Sequence, residues 1–317
     1  METPGIARAF SFSDINTLSV KSCIVLNPAA GRGRAAKIRE NIFRNFAAVG
    51  ITQVFETSQF GDEERATLQA IDLGFDKIVV AGGDGTCSKV ANTVLKGCNQ
   101  ISICVVPCGT GNDFAKTLGI ADYAPEQIAN LVASVKPTAI DVGFVDGKYF
   151  LNSCGFGFDA SVLDASNRVR FLQGDAVYIY AALRQLFSYR GIDVAVSGAS
   201  GVLRGPKLMI TVSNGRFLGG AFKIAPQASA VDGNLDACFI SDSNVFQRLG
   251  LFIGAMRGRH LSMTGVTTSL IQQLTLNFAA KPMMEVDGEL RLADAKTVDV
   301  RCVPRALAVI AAPGALA

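Results

Sequence analysis

The chain has a single histidine, His260, among its 317 residues. Ser–His–Asp and Cys–His hydrolases would have to use that one imidazole, and no nucleophile elbow accompanies it. Flanked by Arg257, Arg259 and Leu261, His260 is expected at the surface or a helix end. No Cys-x-x-Cys pair occurs among the eight cysteines, most of which, Cys23 and Cys104 included, fall in apolar runs. Buried, reduced thiols of a cytoplasmic protein are expected, and a zinc site is not. No segment has the ~20 apolar residues of a membrane span, and residues 1–14 lack the basic-then-apolar order of a signal peptide. No glycine loop ends in Gly-Lys-Ser/Thr, which sets aside Walker-type NTPases. Net charge is only +3, too little to argue for a nucleic-acid partner. There is no internal repeat and no low-complexity tract.

What is present has a globular balance, with 49% hydrophobic and 18% charged residues in a chain long enough for one large or two ordinary domains. Residues 1–20 read as a loose leader. From Ser22, apolar strand runs (23–26, 51–55, 78–81, 101–106) alternate with helical faces (35–49, 62–73, 88–95). Continuous apolar strands between amphipathic helices predict a doubly wound α/β nucleotide domain with a parallel sheet over 21–140. Beyond Asp141 the texture changes to polar–apolar strands at 149–153, 192–196, 207–213, 235–240, 270–278 and 298–302. Asp146-Gly147, Asn214-Gly215, Asp232-Gly233 and Asp287-Gly288 supply turns. This predicts an antiparallel β-sandwich domain over 141–304, interrupted by helices near 176–189 and 245–257. The segment 305–317 is expected to return to the first domain, and a ligand is expected in the cleft between the two.

The densest functional signal is Gly82-Gly83-Asp84-Gly85-Thr86, just past a strand end. Glycines there let a backbone approach a ligand closely, and N–H groups opening the next helix cradle phosphate. Asp84 repels phosphate directly but fits if a divalent cation stands between them. A second turn, Gly109-Thr110-Gly111-Asn112-Asp113, repeats the form after the next strand, at the edge where open α/β sheets bind ligands. A plain strand-to-helix turn explains either one alone less demandingly. Near the N-terminus, Gly31-Arg32-Gly33-Arg34-Ala35-Ala36 imitates a dinucleotide fingerprint, with Glu56 as the ribose carboxylate. However, Asn27-Pro28 separate it from its strand.

Asn27-Pro28 and the two glycine turns, in this order and spacing, resemble the catalytic domain of diacylglycerol kinases and related lipid kinases. The stretch from Asn214-Gly215 through Gly219-Gly220, Pro226-Gln227-Ala228 and Asp232-Gly233-Asn234-Leu235-Asp236 is similar to that family's second domain. So is Glu285-Val286-Asp287-Gly288-Glu289. The resemblance implies an ATP- and Mg²⁺-dependent lipid kinase acting on a lipid hydroxyl, with a diacylglycerol-like acceptor foremost and a place in phospholipid biosynthesis. Asn27, Pro28, Ala29, Ala30, Gly31, Thr57, Gly82, Gly83, Asp84, Gly85, Thr86, Cys87, Ser88, Thr110, Asn112 and Asp113 would then line the ATP site, Asp84 and Asp113 also holding Mg²⁺. Glu289 matches the family's proposed general base, with Asp287 beside it. Ser229, Asp232 and Asn234 match a structural magnesium site, though aliphatic residues are frequent at the first and last of these. Asp84-Gly85-Thr86 looks more like diacylglycerol kinases than sphingosine or ceramide kinases. An NAD kinase, a sphingoid-base or ceramide kinase and a non-catalytic nucleotide-binding regulator stay as alternatives.

A lipid substrate at a membrane surface implies a cytoplasmic, peripherally associated protein, and a homodimer is left open. The stretch Phe171, Leu172, Val177, Tyr178, Tyr180, Ala181, Leu183, Leu186, Phe187, Tyr189 reads first as core. Alternatively it borders a lipid entrance, with Arg168, Arg170, Arg184 and Arg190 meeting anionic headgroups.

Overall fold

The computed structural model describes residues 20–59, 61–97, 100–168, 175–198, 201–203 and 205–316. The expected leader up to residue 19, and Arg170, Phe171 and Leu172, lie outside the described residues. The first half runs β1 (Ser22–Leu26), α1 (Ala30–Ala48), β2 (Gln53–Glu56), α2 (Asp62–Asp72), β3 (Lys77–Gly82), α3 (Asp84–Gly97), β4 (Ser102–Pro107), α4 (Asp113–Thr117) and α5 (Pro125–Ser134). These strands pair in parallel in the order β2-β1-β3-β4. Every residue of β3 and β4 is buried, as a sheet covered on both faces requires. Helix α2 opens with Asp62, Glu63 and Glu64, which favour a helix N-terminus.

The second half runs β5 (Thr138–Val145), β6 (Lys148–Phe150), β7 (Ser153–Gly157), α6 (Phe158–Asn167), α7 (Asp175–Ser188), β8 (Ile192–Gly198), β9 (Gly201–Leu203), β10 (Pro206–Ser213), β11 (Leu235–Ser241), α8 (Val245–Met256), β12 (Val266–Ile271), β13 (Gln273–Phe278), β14 (Met283–Val286), β15 (Glu289–Leu292) and β16 (Thr297–Val309). Its pairings are antiparallel, and β15-β14-β7-β10-β11-β12 form one layer of the sandwich. The other layer, with β8 and β13, continues through β16 into the parallel sheet. Phe150, Phe156, Met284 and Leu276 fill the sandwich, while Leu251, Phe252 and Phe222 pack under α7 and α8.

Strand β16 joins the halves. Its start pairs with β13 and its end lies parallel to β4, with a register shift against β5 between Val303 and Leu307. Beyond it, Ile310 N–H donates to the Ile103 carbonyl and Ala312 N–H to that of Leu118, both at 2.9 Å.

Several local expectations change. Helix α3 begins at Asp84 rather than 88, because Gly83 alone separates it from β3. The strand read over 270–278 is two strands in different layers, broken at Gln272, whose carbonyl accepts Cys302 N–H at 2.8 Å. The strand read over 149–153 breaks at Leu151 and Asn152, whose N–H groups turn to Asp287. Helix α6 had no expectation. His260 is fully buried rather than superficial: its Nε2 lies 3.1 Å from the Ile224 carbonyl, and burial lowers its pKa. Its arginine neighbours are exposed, so they carry the surface signal and the imidazole does not.

Candidate active site

Three loops meet at the carboxyl edge of the parallel sheet. After β1, Gly31, Arg32 and Gly33 all adopt positive φ, and a Cβ on Gly31 would strike the Cys108 carbonyl at 2.1 Å. That backbone detour turns the dinucleotide look-alike away from a regular helix start. After β3 and β4, Gly83 and Gly109 touch backbone to backbone, since a Cβ on Gly109 would stand 2.6 Å from the Gly83 Cα. Gly82 is equally constrained, because a Cβ there would meet the Thr86 side chain at 2.5 Å. Asn27 Nδ2 donates to Thr86 Oγ1 at 3.0 Å and to Glu63 Oε1 at 3.2 Å, tying the first loop to the second. Asn112, at φ 51°, accepts Gly109 N–H through Oδ1 at 2.9 Å and closes the third loop.

The residues expected to line ATP therefore lie together, but not all present side chains. Asn27, Pro28, Ala29, Ala30, Gly31, Gly82, Gly83, Asp84, Gly85, Thr86, Thr110, Asn112 and Asp113 lie in or open from the three loops. Thr57, buried, follows β2, its N–H on the Leu26 carbonyl at 2.9 Å. Cys87 and Ser88 are buried in α3, and burial drives the Cys87 thiol well above its usual pKa.

Two carboxylates converge over Gly111: a Cβ there would find Asp84 Oδ2 at 3.1 Å and Asp113 Oδ2 at 3.7 Å. Asp84 Oδ1 accepts Phe114 N–H at 3.1 Å. Asp113 accepts Gly220 N–H at 3.0 Å, and Lys116 binds both Asp113 and the Gly220 carbonyl. Thus the Gly219-Gly220 loop of the second half docks on the first half. Burial, then the neighbouring Asp113 charge, pushes the Asp84 pKa up to about 7.

The sandwich contributes the opposite wall through the β14–β15 turn. Asp287, at φ 48°, accepts the N–H groups of Leu151, Asn152 and Ser153 at 2.8, 2.8 and 3.3 Å. Burial still leaves its pKa raised. Asp84, Thr110, Gly111, Asp113, Glu285 and Asp287 share one cleft of about 200 Å³. Glu289 does not line it; this half-exposed carboxylate pairs with Lys148. A second, largely apolar cavity of about 70 Å³ lies between α6, α7, α8 and the sheet, sharing Leu218 with the cleft.

Hard oxygen donors converging over a glycine suit a divalent cation, so the Asp84–Asp113 pair fits Mg²⁺. The Ser229, Asp232 and Asn234 loop fits a side-chain-held cation poorly. Asp232 spends Oδ1 on Asn234 N–H and its carbonyl on Asn234 Nδ2, and Gly233 N–H is taken by Asp141 Oδ2. Among the described residues no group of three or more His, Cys, Asp or Glu side chains is arranged to hold a metal ion.

From the sequence alone Glu285, Asp159, Lys148 and Asp141 received no chemical role. A charged residue inside an apolar strand run is a usable signal for Glu285 and Asp141. For Asp159 and Lys148 only the strand register reveals the partner.

Parallel-sheet loops that present helix N-termini and two acids, closed by a sandwich bearing further acids, define a phosphate-handling α/β-plus-sandwich protein. The profile of the diacylglycerol kinase catalytic domain matches residues 21–145, and that of the YegS C-terminal NAD kinase beta sandwich-like domain matches 152–311. A diacylglycerol kinase of Bacillus subtilis is 29% identical over 268 residues, covering 84% of this chain and 88% of the relative. A "Probable lipid kinase YegS-like" of Pseudomonas aeruginosa is 32% identical over 204 residues, 64% of this chain and 67% of the relative. The crystal structure of a diacylglycerol kinase from Bacillus anthracis superposes with a TM-score of 0.73 at 20% identity. It covers 94% of this chain and 98% of that one, a likeness in fold. The chain belongs to the diacylglycerol kinase and YegS-like family of lipid kinases.

Proposed function

We propose that the protein transfers the γ-phosphoryl group of ATP, with Mg²⁺, to a lipid hydroxyl, a diacylglycerol-like lipid being the acceptor. The observation that carries the reading is the meeting of Asp84 and Asp113 with Asp287 and Glu285, from opposite domains, in one cleft beside an apolar cavity. Transfer of this kind asks a protein chiefly to position reactants and offset charge. The N–H groups opening α3, with those of Thr110 and Gly111, would hold phosphate oxygens. Mg²⁺, bound by Asp84 and Asp113, would neutralise charge on the β- and γ-phosphates. Lys116 and Gly220 fix Asp113 for that task. The apolar cavity supports a lipid rather than NAD as acceptor. A structural cation held by the Asp232 side chain and the carbonyls of Ser229 and Asn234 stays a family-based proposal, separate from this site.

We place the protein at a membrane surface. Among the described residues no helix is long and apolar enough to cross a membrane. Instead α7 exposes Tyr180, Leu183 and Phe187, and α8 exposes Phe246, Leu249 and Ile253, with Arg184 and Arg190 exposed nearby. Ala181, Ala182 and Leu186 of α7 face inward, so the stretch serves as core on one side and as an apolar face on the other.

Labelled ATP offered with diacylglycerol, monoacylglycerol, phosphatidylglycerol, a sphingoid base, ceramide and NAD tests the acceptor. Label in a lipid, lost in Asp84→Asn, supports the reading; label in NAD alone would replace it.

A further inference from the structure

Helix α2 opens on three acids, and only one of them is tied to the glycine loops. Asp62 accepts the Ser58 and Gln59 N–H groups at 2.8 and 3.1 Å and pairs with Arg65, so it serves its own helix start. Glu64 is exposed. Glu63 is only 4% exposed, and its partners belong to other elements. Asn27 Nδ2 donates to its Oε1 at 3.2 Å, and Lys89 of α3 stands 3.6 Å from its Oε2. That Oε2 forms no hydrogen bond among the described residues. An acid in the first turn complements the helix dipole, but that role asks neither for burial nor for a reach to Asn27. A buried carboxylate is costly unless it is paired and bonded, and Lys89 offsets its charge.

Asn27 passes the contact on. Its Nδ2 also donates to Thr86 Oγ1 at 3.0 Å, and its Oδ1 accepts Ala29 N–H at 3.0 Å. An amide nitrogen has two hydrogens, so Glu63 and Thr86 together fix which way the amide faces. Turned over, it would set its oxygen against the Glu63 carboxylate and its NH₂ against Ala29 N–H. Ala29 leads into the left-handed turn of Gly31, Arg32 and Gly33, and Thr86 Oγ1, having accepted from Asn27, keeps its own hydrogen to donate. We propose that Glu63 is a positioning residue of the nucleotide site. Through Asn27 it holds the first loop and the Thr86 hydroxyl in the arrangement that receives the phosphates of ATP. Its role rests on the kinase reading above, in which Asn27 to Gly31 and Thr86 border the nucleotide.

Reach and charge separate this role from that of a helix-opening acid. Glu63→Asp keeps a carboxylate in the first turn, but its oxygens fall back by one methylene, about 1.5 Å, and leave Asn27. Glu63→Gln keeps an oxygen within reach and gives up the charge. A hydrogen bond to a charged group is worth roughly 10–100-fold in an equilibrium, and a neutral one roughly 2–10-fold. Positioning therefore makes Glu63→Asp the more damaging change, whereas a role in the helix dipole or in the Lys89 pair makes Glu63→Gln the more damaging.

The test is calorimetric titration of the full chain with ADP and Mg²⁺, with thermal unfolding of each variant alongside. Glu63→Asp should weaken binding roughly 10–100-fold and Glu63→Gln less than about tenfold, while Glu64→Gln leaves it at the parental value. In lipid phosphorylation the same losses should appear in the KM for ATP and not in the KM for the lipid. Asn27→Asp supplies a second arm, since it sets an oxygen against the Glu63 carboxylate and should weaken binding. Adding Glu63→Gln returns a donor to the pair at the parental net charge and should recover roughly tenfold. Parental affinity in Glu63→Asp, a larger loss in Glu63→Gln, or a double variant no better than Asn27→Asp alone would overturn the assignment. If Glu63→Asp does not fold, the Asn27→Asp pair decides. A parent protein that binds no nucleotide would instead refute the kinase reading beneath it.

Discussion

Alanine at position 109 tests whether the glycine loops depend on their close approach. A Cβ there would stand 2.6 Å from the Gly83 Cα and 2.9 Å from Asn112 Oδ1, whereas carbon atoms rest about 3.5–4.0 Å apart. The loops would have to separate by roughly 1 Å. Neither obstacle yields cheaply, one being backbone and the other a side chain bonded twice to Gly109 itself. Overpacking of this kind costs about 1–3 kcal/mol, and at roughly 2–4 °C per kcal/mol the midpoint should fall by roughly 2–12 °C. The Phe114 N–H to Asp84 bond, at 3.1 Å, crosses the same gap, so separation also moves Asp84 relative to Asp113. A displacement near 1 Å costs about 10²-fold in turnover. Gly85 is the internal control: among the described residues no atom beyond its chain neighbours and its own helix backbone lies within 4 Å of its Cβ position, and glycine to alanine in a helix stabilises by about 0.5–1 kcal/mol. Thermal unfolding by circular dichroism and initial rates of lipid phosphorylation read both variants. Gly109→Ala with parental melting and turnover, or two variants that behave alike, would show that the loop contact does not carry the geometry.

Asp84→Asn should abolish transfer and yet raise the melting temperature of the magnesium-free protein at pH 8. The folded-state pKa is raised to about 7, so the parent loses stability as pH climbs from the ordinary carboxylate range toward 7, and the gap should close on acidification. Mg²⁺ should stabilise the parent but not the variant; equal melting at pH 8 without metal would refute the charge argument. For the membrane face, Phe187 and Phe246 are 72% and 87% exposed, and burying a phenylalanine is worth about 1.5–3 kcal/mol. The double serine variant should lose roughly 10²-fold or more in sedimentation with phosphatidylglycerol vesicles. Unchanged sedimentation would exclude α7 and α8 as the docking face.

What the sequence reveals here is what local chemistry encodes. Gly82, Gly83 and Asp84, or Gly109 to Asp113, announce themselves because glycine and acid stand next to one another after an apolar strand. The alternation of β1 to β4 with helices is legible for the same reason. Glu285 and Asp159 are 126 positions apart in the chain, and they come together only through the β7–β14 register and the missing side chain of Gly155. No periodicity in either segment encodes that encounter. Asn112 likewise reads as one residue of a ligand-lining turn, while its side chain closes the loop onto Gly109. The break at Leu151 and Asn152 is illegible without Asp287, which draws their N–H groups out of the strand. His260 shows the converse failure, in which exposed arginines on either side mask a buried residue.

Asp141 shows how a boundary can be mistaken for a change of texture alone. Fully buried on β5, it accepts Gly233 N–H at 2.7 Å through Oδ2 and Arg305 N–H at 2.8 Å through Oδ1. Its own N–H donates to the Ala230 carbonyl, and its carbonyl accepts Asn214 Nδ2. Arg305 sits at φ 50° inside the register shift of β16, a conformation that costs a non-glycine residue about 1–2 kcal/mol. One carboxylate thus anchors the Gly233 turn and the irregular point of the strand that carries the sandwich into the parallel sheet. Asparagine at 141 can accept at one oxygen only, and its NH₂ would face the other N–H donor. Losing one charged hydrogen bond and opposing two donors should cost about 2–4 kcal/mol, a fall of roughly 4–16 °C in the melting midpoint. Because both cleft walls hang on β16, the rate of lipid phosphorylation should fall together with stability and recover on cooling. Asp141→Asn with the parental midpoint would mean that β16 holds its course without this carboxylate, and that the alignment of Asp84 with Glu285 is fixed by sheet pairing alone.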